Sequence, residues 1–91
     1  MRKRLQLKFY GRVQGVFFRA FVMDKATELG LTGYVQNMPD STVEAVCEGE
    51  ETKLRQLVAK CRKGPHASQV TDVDEDWTSY KGEFLSFSIR R

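Results

Sequence analysis

The sequence predicts an α+β fold, a sandwich of one antiparallel sheet with two helices on one face. Three observations predict it. The hydrophobic period alternates between two and about 3.6 in the order β-α-β-β-α-β. Glycine or proline stands at most of the places where the period changes. A length of 91 residues supplies one two-layer core but not a large parallel sheet covered on both sides. We therefore expect a single domain over residues 1–91, with no internal linker or low-complexity segment.

Leu5, Leu7 and Phe9 alternate with Gln6, Lys8 and Tyr10, a first strand over 5–10 that ends at Gly11. From Phe18 the period lengthens: Phe18, Val22, Ala26 and Leu29 make one helical face, and Gly30 stops the helix. Tyr34 to Met38 is extended, Pro39-Asp40-Ser41 is turn material, and Val43, Ala45 and Cys47 alternate before Gly49, so the second and third strands form a hairpin. Leu54, Leu57, Val58 and Cys61 are the apolar stripe of a second helix over about 51–63, with Glu50 and Glu51 at its start, Lys60, Arg62 and Lys63 at its end, and Gly64-Pro65 as its stop. Val70 and Val73 are three apart, so a bulge or a change of face interrupts a fourth strand within 68–77. Leu85, Phe87 and Ile89 alternate on a final strand, and Phe84 is placed to cover an edge. Each βαβ half needs a right-handed crossover, which puts both helices on the same face in a split βαβ, ferredoxin-like plan.

The formal charge of +3 includes three cations in Met1-Arg2-Lys3-Arg4, ahead of the expected strand. This excess suits small phosphorylated ligands but falls short of the basic stripe of a nucleic-acid binder. No apolar run reaches membrane-spanning length and none follows the basic start as a leader would, so we expect a cytoplasmic protein with no membrane partner. Cys47 and Cys61 occupy apolar positions of a strand and a helix and are expected to be reduced, structural thiols. With one histidine, His66, and no CxxC or HExxH, the chain lacks the spacing of a metal site. We expect no metal and no cofactor.

The run Gly11-Arg12-Val13-Gln14-Gly15-Val16-Phe17-Phe18-Arg19 carries the functional signal. A strand passes through glycine into a helix, and an arginine stands where that helix begins. A phosphate there would meet turn N–H groups, the positive end of the helix dipole and a guanidinium able to make two parallel hydrogen bonds. Taken alone, an arginine at a helix start is ordinarily solvated, and Asn37 is ordinarily a turn or edge residue. Gly11 and Gly15 lack the Gly-Lys-Ser/Thr of a nucleotide P-loop.

This run, followed by Ala26, Leu29-Gly30-Leu31, Gly33-Tyr34-Val35-Gln36-Asn37 and Gly64-Pro65, resembles the acylphosphatase family over nearly the whole chain. The resemblance implies hydrolysis of the carboxyl-phosphate bond of small acyl phosphates, without metal or organic cofactor. It implies that Arg19 holds the phosphoryl oxygens, assisted by main-chain donors of Gly15, Val16, Phe17, Phe18 and Arg19, and that Asn37 positions the attacking water. The partners it implies are small acyl phosphates and inorganic phosphate, handled by a monomer. Two positions depart from the family pattern. Phe17 stands where glycine is frequent, which alters substrate packing. Ser41 stands where glycine commonly follows the turn aspartate; if φ there is positive, serine adds about 1 kcal/mol of strain.

The chemistry suits so few groups. An acyl phosphate releases a carboxylate, whose conjugate acid has a pKa of about 4, so the leaving group needs no proton. Charge neutralisation and a directed water suffice, and an asparagine, with one acceptor oxygen and one donor nitrogen, orients water without taking its proton. His66 is read as a loop residue rather than a base. Phe18 and Phe21 are read as core or site wall, Trp77 as a shield for an edge or core end, and Tyr34 as either packing or site lining.

Two other classes remain open. A four-stranded sheet with two helices is also an RNA-recognition plan, and Lys81-Gly82-Glu83-Phe84-Leu85-Ser86-Phe87 approaches one of its motifs, but Glu83 takes an aromatic position. The same cradle also suits a weakly catalytic regulatory or assembly domain derived from a larger carbamoyl-transfer protein. Metal-free turnover of an acyl phosphate separates the three.

Overall fold

The computed structural model describes residues 1–91. Its elements are β1 (Arg2–Arg12), α1 (Phe18–Glu28), β2 (Thr32–Asn37), β3 (Val43–Glu50), α2 (Glu51–Lys63), β4 (Gln69–Ser79) and β5 (Phe87–Arg90). The strands form one sheet in the order β4-β1-β3-β2-β5, with the non-consecutive β1 and β3 adjacent as a split βαβ plan requires.

Leu5 pairs across the sheet with Cys47 and Trp77, Leu7 with Ala45 and Glu75, and Phe9 with Val43 and Val73. Residues directly opposite share a face. Leu5, Leu7 and Phe9 are fully buried there with Phe18, Val22 and Ala26 of α1 and Leu54, Leu57, Val58 and Cys61 of α2. One core thus joins both helices to one side of the sheet, and each large aliphatic side chain buried in it contributes about 1.5–3 kcal/mol.

Five expectations are corrected. The basic start is not ahead of the first strand but inside it, Arg2 opposite Glu50 and Arg4 opposite Glu48. Cross-strand carboxylates take up two of the nearby charges: the Met1 ammonium lies 2.9 Å from Glu50 and the Arg4 guanidinium 3.3 Å from Glu48. Nor does Gly11 end β1. Tyr10 pairs with Asp72 and Gly11 with Val70, leaving Thr71 as the extra residue of a bulge, the irregularity behind the Val70–Val73 spacing. Gly11 has φ 114°, and a Cβ at this position would run into the Gln69 carbonyl and the Thr71 nitrogen.

The sheet is mixed rather than purely antiparallel, because β5 runs parallel to β2, with Gly33 beside Phe87 and Val35 beside Ile89. The chain leaves β4 at one edge, crosses to the other through residues 80–86, and starts back in the direction of β2. Side-chain alternation carries no information about direction. Leu85 belongs to that crossing and is exposed, so the buried alternation of the last strand begins at Phe87. Phe84 covers no edge; it packs edge-on against Tyr34 on the open face, with ring centroids 5.9 Å apart.

Candidate active site

Asn37 is the last residue of β2 and pairs with Val43, which in turn pairs with Phe9. The three lie in one row of the helix-facing side. Phe18, the first residue of α1, meets Phe9 edge to face with ring centroids 4.9 Å apart. This contact sets the start of α1 over that row and brings the turn before it alongside Asn37. The result is a cleft of about 290 Å³ whose lining includes Gly15, Phe17, Phe18, Arg19 and Asn37.

The turn is built to present N–H groups. Gly15 has φ 73°, and Phe17, the N-cap of α1, has φ 62° with no side-chain cap. The N–H groups of Gly15, Val16 and Phe17 donate to no backbone carbonyl, and those of the first helical turn have no acceptor within the helix. A phenylalanine in the left-handed region costs about 1–2 kcal/mol relative to an ordinary conformation. Val13 and Val16, both buried, hold the turn in place against that cost.

The two helices begin differently. Glu51 lies in the first turn of α2, where it accepts from Arg55, and three cations lie in its last turn. The first turn of α1 carries no acid, and Arg19 adds a cation at its positive end. Arg19 is half-buried and makes no ion pair within the chain. An anion would answer both charges at once.

The predicted residues do meet. Gly15, Phe17, Phe18, Arg19 and Asn37 all line the cleft, whereas the Val16 side chain turns into the core and leaves only its main chain to the turn. Phe18 is both core and wall. Tyr34 lies on the open face instead, its ring covered by the Arg90 guanidinium at 3.6 Å. Trp77 is half-buried on the edge strand β4, under the Arg55 guanidinium at 4.7 Å. His66 is exposed beyond the α2 stop. Burial pushes both thiols up, Cys61 to about 12, so neither is a nucleophile near neutral pH. No group of three His, Cys, Asp or Glu side chains is arranged to hold a metal ion.

Sequence reasoning passed over Ile89 and Arg91, which line the cleft because β5 runs beside β2. It also passed over Gln14, whose Nε2 donates to the carbonyls of Met38 and Thr42 at 2.9 and 2.8 Å. A polar residue between two buried valines is the one local signal for it. The open face, which an RNA-binding sheet would need basic and aromatic, carries Arg4, Lys8, Tyr10 and Tyr34, but Glu44, Glu48, Asp74 and Asp76 stand in the same rows, and Arg4 and Lys8 are paired with carboxylates.

Fold and site together define a small ferredoxin-like domain with a donor-rich turn and an unpaired arginine at the start of its first helix. The model of the acylphosphatase family matches residues 5–89. An acylphosphatase of Methylococcus capsulatus is 46% identical over 89 residues, spanning 98% of this chain and 97% of that protein. The crystal structure of acylphosphatase from Bacillus subtilis superposes with a TM-score of 0.95 at 35% identity, covering 100% of both chains. Full-length HypF, solved in a phosphate- and nucleotide-bound form, contains a segment amounting to 12% of its chain that matches all of this one with a TM-score of 0.91 at 27% identity. The chain belongs to the acylphosphatase family.

Proposed function

We propose that Arg19 and the N–H groups of residues 15–19 hold the phosphoryl group, and that Asn37 directs the attacking water. The reaction is the one the family performs, hydrolysis of the carboxyl-phosphate bond of a small acyl phosphate to a carboxylate and inorganic phosphate. One observation carries these roles: a donor-rich turn, a half-buried arginine without an internal carboxylate, and the end-of-strand Asn37 converge on one cleft.

Arg19 offers the phosphoryl oxygens two parallel charged hydrogen bonds, and the turn adds dipoles already oriented before substrate arrives. Asn37 can accept from the water through Oδ1 and so point its lone pair at phosphorus opposite the departing carboxylate. The carboxylate leaves unprotonated, and the water's proton passes to phosphate oxygen or solvent. Apolar walls from Phe17 and Ile89 favour an acyl group that packs rather than one that must hydrogen-bond.

Residues 1–91 act as one domain, and the protein acts as a cytoplasmic monomer on small molecules, without nucleic acid or membrane. No helix is long and apolar enough to cross a membrane. The exposed large apolar side chains, Met1, Phe17, Tyr80 and Leu85, come from separate segments and suggest no self-association surface.

Turnover of benzoyl phosphate tests this reading. Hydrolysis should persist in EDTA, inorganic phosphate should compete with substrate at millimolar concentration or below, and kcat should vary little between about pH 5.5 and 7.5, since the proposed steps use no general acid or base. Loss of turnover in EDTA with recovery on adding Mg²⁺ would overturn the metal-free mechanism. A drop near pH 6.5 that disappears in folded His66→Ala would reveal a histidine-dependent step.

A further inference from the structure

The turn that follows Asn37 is complete in itself. Met38 N–H donates to the Thr42 carbonyl at 2.9 Å and Ser41 N–H to the Met38 carbonyl at 3.2 Å. Ser41 is left-handed at φ 75°, and Asp40 takes both the N–H and the hydroxyl of Thr42 while pairing with Lys8 at 3.0 Å. These bonds set the shape of the turn. They do not set where the turn sits relative to the start of α1.

Gln14 does that. It immediately precedes Gly15, the first residue of the cradle, and its single amide nitrogen spends one hydrogen on each of two carbonyls that bracket the turn. No other hydrogen bond joins residues 13–17 to residues 37–43. Met38 directly follows Asn37, and Thr42 directly precedes Val43, the cross-strand partner of Asn37. The fork therefore grips both arms of the hairpin one residue to the turn side of the Asn37–Val43 pair.

The carbonyls decide between a positioning role and a merely structural one. Each already accepts a hydrogen bond from within the turn, so losing Gln14 leaves neither unsatisfied. What is lost is the register between two separately built loops. We propose that Gln14 is a positioning residue that locks the phosphate-holding turn to the hairpin end bearing Asn37, so that the directed water stays in line with the held phosphorus. This rests on the roles given above to Arg19 and Asn37.

The test compares Gln14→Met, which keeps length without donors, with Gln14→Glu, whose ionised carboxylate would face two carbonyl oxygens. Folded Gln14→Met should lose about 10- to 50-fold in kcat on benzoyl phosphate, with the inhibition constant of inorganic phosphate within about threefold of wild type. In an Asn37→Ala background the same change should cost almost nothing more, because the residue acts through Asn37. Relative to wild type, Gln14→Glu should gain activity as pH falls from about 7.5 to 5.5, as its protonated carboxyl regains one donor. The other charged groups of the turn do not titrate in that window. Asp40 is held at about 2 by the Thr42 hydroxyl and then Lys8, and Lys8 is held up by Asp40.

Wild-type kcat in folded Gln14→Met would overturn the proposal, as would intact kcat with phosphate affinity lost, which would make Gln14 part of the cradle. A full extra loss in the Asn37→Ala background would do the same. A second readout does not need turnover: inorganic phosphate should shift the amide resonances of residues 37–43 as well as 15–20 in wild type, and only those of 15–20 in Gln14→Met. Equal hairpin shifts in both proteins would end the proposal, whereas a wild type that binds phosphate without turnover would count against the acylphosphatase reading alone.

Discussion

Two turns in this protein offer consecutive backbone N–H groups, and they are completed in opposite ways. In the crossing between β4 and β5, the N–H groups of Lys81, Gly82 and Glu83 converge on the Glu48 carboxylate at 2.7, 3.0 and 3.3 Å. Glu48 is 1% exposed, and Arg4 bonds to it and to Glu83. In the turn before α1, no side chain of the protein supplies the anion, and the charged side chains of the cleft are the unpaired cations Arg19 and Arg91. The same backbone device thus serves structure where the chain provides its own carboxylate and is left without an internal anion where it does not. The lesson is that N–H donors alone do not mark a site; the charge brought to them does.

Substitutions test this contrast, and the largest effect should come from the binding turn. Arg19→Ala should fold, by circular dichroism, and lose about 1,000-fold or more in kcat/KM, because a positioned cation facing the phosphoryl oxygens is removed from a cleft rather than from the core. Arg19→Lys should recover little of this, since lysine keeps the charge without the two-pronged geometry. Near-normal turnover of folded Arg19→Ala would erase the distinction between the turns. Asn37→Ala should lower kcat about 100-fold while phosphate inhibition persists; phosphate binding that vanished with kcat intact would move Asn37 into the cradle.

The structural turn should respond in stability. Glu48→Gln should cost about 2–3 kcal/mol in urea unfolding, with Arg4 and three N–H groups losing their anion. Burial pushes the Glu48 pKa up, but the N–H groups of Lys81 and Glu83 and the Arg4 guanidinium outweigh it, and the net shift is downward. A carboxyl held below its unfolded value of about 4.3 contributes fully above that pH and loses its contribution as pH falls through the folded value. Wild-type stability should therefore decline in acid below about pH 4.3, and Glu48→Gln should be flatter there. An equal decline in both proteins would show that other carboxylates dominate.

The smallest effect should be a gain. Phe17→Gly relieves a left-handed phenylalanine and should stabilise the fold by about 0.5–1 kcal/mol after the entropy of the added glycine is counted. Because Phe17 is 85% exposed, little packing opposes that gain. A lower unfolding midpoint would mean that the ring contributes more than its exposure indicates. Ser41→Gly should act in the same direction, in accord with its φ of 75°.

Much of this was legible from residues near each other in the chain. The stripe Leu54, Leu57, Val58, Cys61 became α2 over 51–63 as its period required, and Phe18, Val22 and Ala26 became the buried face of α1. The Val70–Val73 spacing signalled a real bulge, although only the pairing located it at Thr71. Arg19 taken alone was an ordinarily solvated cation, and the glycine-bearing strand-to-helix turn beside it, with the family resemblance, is what singled it out. Asn37 did not stand out on its own; resemblance to the acylphosphatase family singled it out, and the register of β2 and β3 then placed it on the row beneath the start of α1.

The sequence by itself determined the α+β class, the two amphipathic helices, and a donor-rich turn with its arginine, since period, φ preference and dipole are set by neighbours within a few residues. Tertiary structure decided the parallel direction of β5, which brings Ile89 and Arg91 to the cleft, the capture of the 80–83 crossing by Glu48, and the fork of Gln14 across the hairpin. Each of these joins segments more than 20 residues apart or depends on strand direction. Alternation repeats every two residues whichever way a strand runs, and a polar side chain does not name its distant partner, so such contacts exist only once register and crossover have been chosen.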